Sequence, residues 1–189
     1  MTRIIAGDLG GRRIQVPSSG TRPTTDRVRE ALFSRLESQN ALYGARVIDL
    51  FAGSGALGFE ALSRGAASAT LVESAAPAAR VIQANIRELG LGPRARAVKE
   101  RAAPFLRRTQ ETFTLALLDP PYDIPAADLA EVLEALARRL EPGAAVVVEW
   151  TRRAPQPQWP ATIAHTASKD YGETVLHYAH TAADREEQP

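Results

Sequence analysis

Three glycines and two acidic residues in the first half of the chain are spaced for ligand chemistry. The run Val47-Ile48-Asp49-Leu50-Phe51-Ala52-Gly53-Ser54-Gly55-Ala56-Leu57-Gly58 satisfies G-x-G-x-x-G at Gly53, Gly55 and Gly58, and Glu73 lies 20 residues beyond Gly53. Glycines so spaced let backbone approach a ligand closely while a strand turns into a helix, and the distal acid can accept hydrogen bonds from ribose hydroxyls. A dinucleotide would lay its pyrophosphate on such a loop. Asp49 argues otherwise, because a carboxylate at the strand end repels a dianion and suits a zwitterion carrying an ammonium and a sulfonium group. A second constellation, Asp119-Pro120-Pro121-Tyr122, follows the apolar run Leu115-Ala116-Leu117-Leu118. Consecutive prolines stiffen the backbone and remove N–H donors, leaving a carboxylate, the Pro120 carbonyl and an aromatic face in one rigid turn. Taken singly, each pattern also suits a plain structural turn.

These residues can act together only if a fold brings the two loops side by side. From Ala45 onward, short apolar runs alternate with helical ones. Strands are expected over Arg46–Leu50, Ala69–Val72, Arg94–Val98, Thr114–Leu118 and Ala144–Trp150. Helices are expected over Ala56–Arg64, Ala75–Leu89 (ended by Gly90), Ala102–Arg108 and Ala126–Leu140, the last closed by Glu141-Pro142-Gly143. Ala161–Thr166 and Thr174–Ala179 read as a final antiparallel pair joined near Tyr171-Gly172. Upstream, Thr2–Ala6 and Arg12–Val16 read as a hairpin, and Thr24 or Thr25 can cap a helix with Val28, Ala31, Leu32 and Leu36 on one face. Strand alternating with helix predicts an α/β fold: a mostly parallel sheet, helices on both faces, and ligands beyond the carboxyl ends of the strands. The loops after Leu50, Val72, Val98 and Leu118 are then the ones that carry chemistry.

The 189 residues, 44% hydrophobic and 24% charged, are enough for one ordinary core. A single domain over residues 1–180 is expected, with an N-terminal hairpin and helix over 1–40, a core over 45–180 and a frayed tail over 181–189. A net charge of +1 excludes a polybasic blanket for bulk nucleic acid, so any such contact must come from local patches. Residues 1–40 offer a modest one, with seven arginines against four carboxylates. The lack of cysteine removes disulfides, thiolate metal sites and cysteine nucleophiles. His165, His177 and His180 have no metal-ligand spacing and read as strand residues, so no metal is expected. No apolar run approaches the roughly 20 residues of a membrane span, and the first seven residues lack a signal-peptide core. A cytoplasmic protein is expected.

Motif by motif, the chain resembles methyltransferases. The D-L-F-A-G-S-G run is similar to the S-adenosylmethionine loop of class I methyltransferases. That resemblance implies a Rossmann-like sheet and cofactor contacts from Asp49, Phe51, Ala52, Gly53, Gly55, Glu73, Ser74 and Ala102. The Asp119–Tyr122 tetrapeptide resembles the catalytic motif of methyltransferases that modify an exocyclic amine, a poor nucleophile because its lone pair is delocalised into the ring. The resemblance makes the Asp119 side chain and the Pro120 carbonyl the acceptors for the two N–H groups. Pro121 stiffens the turn, and Tyr122 offers a face for stacking an extruded base.

The N-terminal region narrows the family. Arg3-Ile4-Ile5-Ala6-Gly7, Gly11-Arg12, Pro17 and, above all, Thr21-Arg22-Pro23-Thr24-Thr25-Asp26-Arg27-Val28-Arg29-Glu30-Ala31-Leu32-Phe33 resemble the RsmD family. Its members are bacterial enzymes that methylate the N2 amine of a guanine in 16S ribosomal RNA. The resemblance runs from Arg3 to about His180 and includes Tyr171-Gly172. It implies a seven-stranded sheet preceded by an RNA-engaging hairpin and helix, S-adenosylmethionine as methyl donor, and 16S rRNA or an assembling small ribosomal subunit as partner. Arg12, Arg22, Arg27 and Arg29, with Arg13 beside them, are the candidate phosphate contacts. One position departs from the family: aligned on Phe105-Leu106, Arg101 stands where members usually carry an acid facing the adenine amine. Either Glu100 takes that role or the backbone around Ala102 does. An adenine-N6 DNA methyltransferase shares the tetrapeptide but usually carries a separate target-recognition domain, for which 189 residues leave little room. The Arg22–Arg29 segment weighs against a protein-glutamine methyltransferase. Asp49 weighs against a nicotinamide dehydrogenase, and the intact tetrapeptide against a non-catalytic RNA-binding module.

Overall fold

The computed structural model describes residues 2–18 and 25–183; Arg22 and residues 184–189 of the expected tail lie outside them. Strands β1 (Thr2–Arg3) and β2 (Arg13–Ile14) pair antiparallel, a shorter hairpin than its sequence suggests. Helix α1 (Asp26–Ser38) starts at Thr25, whose Oγ1 accepts a hydrogen bond from the Val28 N–H at 3.4 Å. The alternating part follows as β3 (Arg46–Leu50), α2 (Ala56–Ser63), β4 (Ser68–Glu73), α3 (Ala76–Leu89), β5 (Ala95–Lys99), α4 (Ala102–Arg108), β6 (Phe113–Leu118), α5 (Ala126–Ala137) and β7 (Leu140–Thr151). Strands β8 (Ile163–Tyr171) and β9 (Thr174–Thr181) close the chain. No helix among the described residues is long and apolar enough to cross a membrane.

Seven strands form one sheet in the order β5-β4-β3-β6-β7-β9-β8. Strands β3 to β7 are parallel, and β9 runs antiparallel between β7 and β8. The strands alternate sides residue by residue, so the sheet has two buried faces. Val47, Leu71, Leu115, Leu117 and Val147 point to one, with α1, α2, α3 and the hairpin residues Ile4 and Ile14. Ile48, Leu50, Val72, Leu118 and Val148 point to the other, with α4 and α5. Register decides where the site lies. Leu50 pairs with Val72 on one side and Leu118 on the other, Val72 pairs with Val98, and Leu118 with Val148. The carboxyl ends of β3, β4, β5 and β6 are therefore level. The strand order reverses beside β3, which opens the crevice where ligands bind in such sheets.

The boundaries that depart furthest from expectation lie around β7, β8 and β9, and β8 itself runs on to Tyr171, past the expected end at Thr166. The fifth helix stops at Ala137, and Glu141-Pro142-Gly143 lies inside β7 rather than ending a helix. Leu140 pairs with Phe113, but the next pair along is Ala145 with Leu115, so the intervening β7 residues bulge outward. A bulge tolerates Pro142, which has no ladder donor to offer. Gly143 takes a φ of +73° there, and its N–H donates to the Ala182 carbonyl at 3.0 Å. Thr181, expected to begin the tail, belongs to β9: its hydroxyl accepts from the Ala144 N–H at 2.9 Å and donates to the Glu141 carbonyl at 2.6 Å.

Candidate active site

Asp49 is the second-to-last residue of β3 and points, with Val47, toward the face covered by α2. The side chain is buried, and its Oδ2 accepts the Gly58 N–H at 2.9 Å. Its Oδ1 is buried with no hydrogen-bond partner among the described residues. Burial lifts this carboxyl from its usual 3.8 to about 7; the Gly58 N–H opposes the rise and the nearby Glu73 charge adds to it. The chain then turns sharply. Phe51 has a φ of +62°, a left-handed conformation that a non-glycine residue holds at a cost of about 1–3 kcal/mol, and such strain collects at ligand-binding turns. Gly55 opens α2 with a φ of +84°, and a Cβ there would stand 2.5 Å from the Phe59 ring. Gly58 is needed for a different reason: a Cβ would meet Leu71 at 2.9 Å and Asp49 Oδ2 at 3.2 Å. Glu73, at the end of β4, closes the loop by accepting the Gly53 N–H at 2.9 Å and the Ala75 N–H at 2.7 Å.

The tetrapeptide sits against this loop. The Asp119 N–H points to the Leu50 carbonyl at 3.4 Å, a long contact that places the Asp119–Tyr122 turn beside the glycine turn. Asp119 is half-buried and Pro120 buried, while Tyr122 is 50% exposed. The Ile124 N–H donates to the Pro121 carbonyl at 3.0 Å and closes the turn. Next to it, a cleft of about 280 Å³ gathers Phe51, Val72, Ser74, Glu100, Arg101 and Ala102. Of the two residues weighed for the adenine amine, the Glu100 side chain is engaged by Arg108, whereas Ala102 is buried in the cleft wall.

Comparison with known proteins places the chain in a family. The family model described as Conserved hypothetical protein 95 matches residues 2–180. The chain belongs to the RsmD family. Ribosomal RNA small subunit methyltransferase D of Escherichia coli is 46% identical over 121 residues, which cover 64% of this chain and 60% of that relative's length. The protein of the same name from Haemophilus influenzae is 37% identical over 157 residues, covering 81% of this chain and 80% of that one. Among solved structures, yhhF of Escherichia coli superposes with a TM-score of 0.83 at 36% identity, over 97% of this chain and 99% of that one. S-adenosylmethionine is the cofactor of this fold family, and the residues here fit it. Asp49 Oδ1 is an unsatisfied buried acceptor below the loop, Glu73 keeps lone pairs for a ribose diol, and Phe51, Val72 and Ala102 offer apolar walls to a purine.

For an RsmD-family member the arginines divide unevenly. Arg27 is exposed with no ion-pair partner among the described residues, and exposed Arg12 donates to the Glu88 carbonyl at 3.0 Å. Arg29 overturns its expected role. It is 1% exposed, donating to the Arg3 carbonyl at 2.7 Å and to Asp26 at 2.9 Å, so it holds the hairpin to α1 and does not face a phosphate. Three polar residues that the motifs do not mark tie the hairpin to α2 and α3, and one of them also reaches the glycine loop. Buried Glu60 accepts the Ile5 and Ala6 N–H groups at 2.8 and 3.1 Å, and Ser63 accepts the Leu9 N–H at 2.9 Å. Buried Asn85 accepts the Gln15 N–H at 2.8 Å and donates to the Gln15 and Ser54 carbonyls at 3.0 and 3.1 Å. Their signal in the sequence is a polar residue inside an apolar helical stripe.

Proposed function

We propose that this protein transfers a methyl group from S-adenosylmethionine to the exocyclic N2 amine of a guanine in 16S ribosomal RNA, in the cytoplasm, on naked RNA or an assembling small subunit. The carrying observation is the juxtaposition of two turns: the Asp119–Tyr122 turn leaves β6 in register with the glycine turn leaving β3. When bound, S-adenosylmethionine supplies a methyl group made electrophilic by its sulfonium. Asp119 and the Pro120 carbonyl accept the two amine N–H groups, which turns the nitrogen lone pair toward that methyl. The two prolines hold both acceptors still, so the geometry is set before the base arrives. Tyr122 stacks the extruded guanine. A guanine N2 amine is too weak an acid for an ordinary carboxylate to deprotonate before attack. Once the N–C bond has formed and the S–C bond broken, the nitrogen is strongly acidic and gives a proton to Asp119 or solvent.

Within this reading residues 45–180 form the catalytic core and residues 1–40 engage RNA, with Arg12, Arg22 and Arg27 as the phosphate contacts. The test uses labelled S-adenosylmethionine and small subunits lacking the native mark, followed by mass analysis of the digested nucleosides. N2-methylguanosine is expected. N6-methyladenosine, or label entering DNA and not rRNA, would replace this reading with the adenine-N6 alternative.

A further inference from the structure

Opposite the N-terminal end of α1 lies a cleft that neither the methyl donor nor the catalytic turn uses. Thr174 pairs with Thr151 at the carboxyl end of β7, so the β8–β9 turn emerges at the same edge of the sheet as Asp119. Helix α1 crosses the sheet from that edge. Its last turn lies beside Gly143–Val147 near the start of β7, and its first turn faces Lys169–Gly172. Between Thr25, Arg27 and Val28 on one side and Lys169, Tyr171 and Gly172 on the other is a space of about 490 Å³. That volume falls within the roughly 300–1,000 Å³ of sites that take small ligands.

Its charge is specific. Asp170 also lines the cleft but faces Arg152 at 3.6 Å. Near the rim, Asp26 is engaged by Arg29 at 2.9 Å and Arg3 at 3.7 Å, and Glu173 by Arg153 at 2.9 Å. The carboxylates are thus balanced by arginines of their own. Arg27 and Lys169 remain, both exposed and without an ion-pair partner among the described residues. Two uncommitted cations facing each other beside a part-exposed tyrosine ring suit a phosphate and an unstacked base. We propose that this cleft is a second RNA subsite, which holds the phosphate and base of a nucleotide flanking the target guanine. An extruded base leaves its neighbours unstacked, and a flanking subsite at the same sheet edge would hold one of them. The inference rests on the rRNA-methyltransferase reading above.

The test measures binding of unmethylated small subunits, and of protein-free 16S rRNA, as a function of salt. For Arg27→Ala and Lys169→Ala, the slope of log affinity against log salt should fall by about 0.7–0.9 per charge removed, additively in the double variant. Tyr171→Ala should weaken binding roughly tenfold, and Tyr171→Phe, which keeps the ring, should restore it. S-adenosylmethionine affinity should be unchanged in all four. A double variant with the wild-type slope, or Tyr171→Ala with wild-type affinity, overturns the cleft while a methylating wild type keeps the enzymatic reading. Loss on intact subunits with none on protein-free RNA assigns the cleft to a ribosomal protein and overturns it too. A wild type that binds RNA with the expected slope but transfers no methyl refutes the reaction and leaves the subsite standing.

Discussion

Asp49 is drawn toward neutrality by its surroundings, and the sulfonium cofactor proposed for this site would draw it toward charge. Its folded value of about 7 lies above the ordinary 3.8, so between these values the folded chain holds a proton that the unfolded chain has released. Stability from this group is therefore full below about pH 4 and is lost as pH rises. By pH 8 the buried charge costs on the order of 4 kcal/mol. Asp49→Asn keeps an oxygen for the Gly58 N–H and carries no charge. Without ligand, its melting temperature should exceed the wild type's at pH 8, and the gap should close at pH 4. A gap independent of pH would show that Asp49 does not titrate in this window. The same variant should bind S-adenosylmethionine more weakly by about 1.5–3 kcal/mol, read by calorimetry at pH 8, because a charge-assisted contact is gone. Asp119 answers to a different readout. Asp119→Ala should abolish most single-turnover methyl transfer while leaving cofactor affinity near wild type, and Asp119→Asn, which keeps one acceptor, should retain more. Near-wild-type transfer by the alanine variant would reduce the tetrapeptide to a structural turn. The chemical identity of both acids was legible in the sequence. Their burial was not, since it depends on α2 lying across Asp49 and on the register of β3 with β6.

At the scale of elements, what was legible followed from local periodicity and punctuation. Gly90 ends α3 with a φ of +69° because a left-handed cap favours glycine, and α4 keeps its expected bounds from Ala102 to Arg108. What escaped involves partners far apart in the chain. The β7 bulge depends on Ala182 and Thr181, and Asn85 bridges to Gln15 and Ser54. A polar residue in an apolar stripe announces burial but does not name its partner. Asn85→Leu would leave the Gln15 N–H and the two carbonyls without their partner, at about 1–3 kcal/mol for each buried group left unsatisfied. The expected result is a raised KM for S-adenosylmethionine with kcat at saturation near wild type, because Ser54 lies in the glycine loop proposed to hold the cofactor and not beside Asp119. An unchanged KM would mean that the loop keeps its shape without Asn85. Arg29→Ala offers the opposite contrast. It should lower the melting temperature, since Arg29 is buried, and leave the salt dependence of RNA binding as it is. A reduced salt slope would return Arg29 to the phosphate contacts.

Across the whole molecule, strand alternating with helix implied the parallel sheet and the edge at which its loops carry chemistry. The sequence also invited a division into an RNA-engaging extension and a catalytic core, and the packing joins the two. Ile4 and Ile14 are 1% exposed and share one apolar cluster with Leu71 and Ile82 of the sheet and α3. Each contributes about 1.5–3 kcal/mol on burial. The hairpin backbone also supplies donors to Glu60, which is 0% exposed and ion-paired to Arg64 at 2.8 Å. Arg64 in turn reaches Glu30 of α1 at 2.7 Å. Deleting residues 2–15 would expose the face of α2 and α3 that the hairpin covers, strip Glu60 of two backbone donors, and release Asn85 from Gln15. If the extension were only an RNA arm, the truncated chain would melt like the wild type, bind S-adenosylmethionine normally and lose RNA affinity alone. The packing predicts a different outcome: a lower and broader thermal transition together with weakened cofactor binding, because the same helices that the hairpin covers carry Gly58 and Asn85. Calorimetric melting and cofactor titration of the truncated chain, compared with the RNA-binding variant Arg27→Ala, separate the two cases. A truncation that leaves both quantities at wild-type values would make the hairpin a detachable arm.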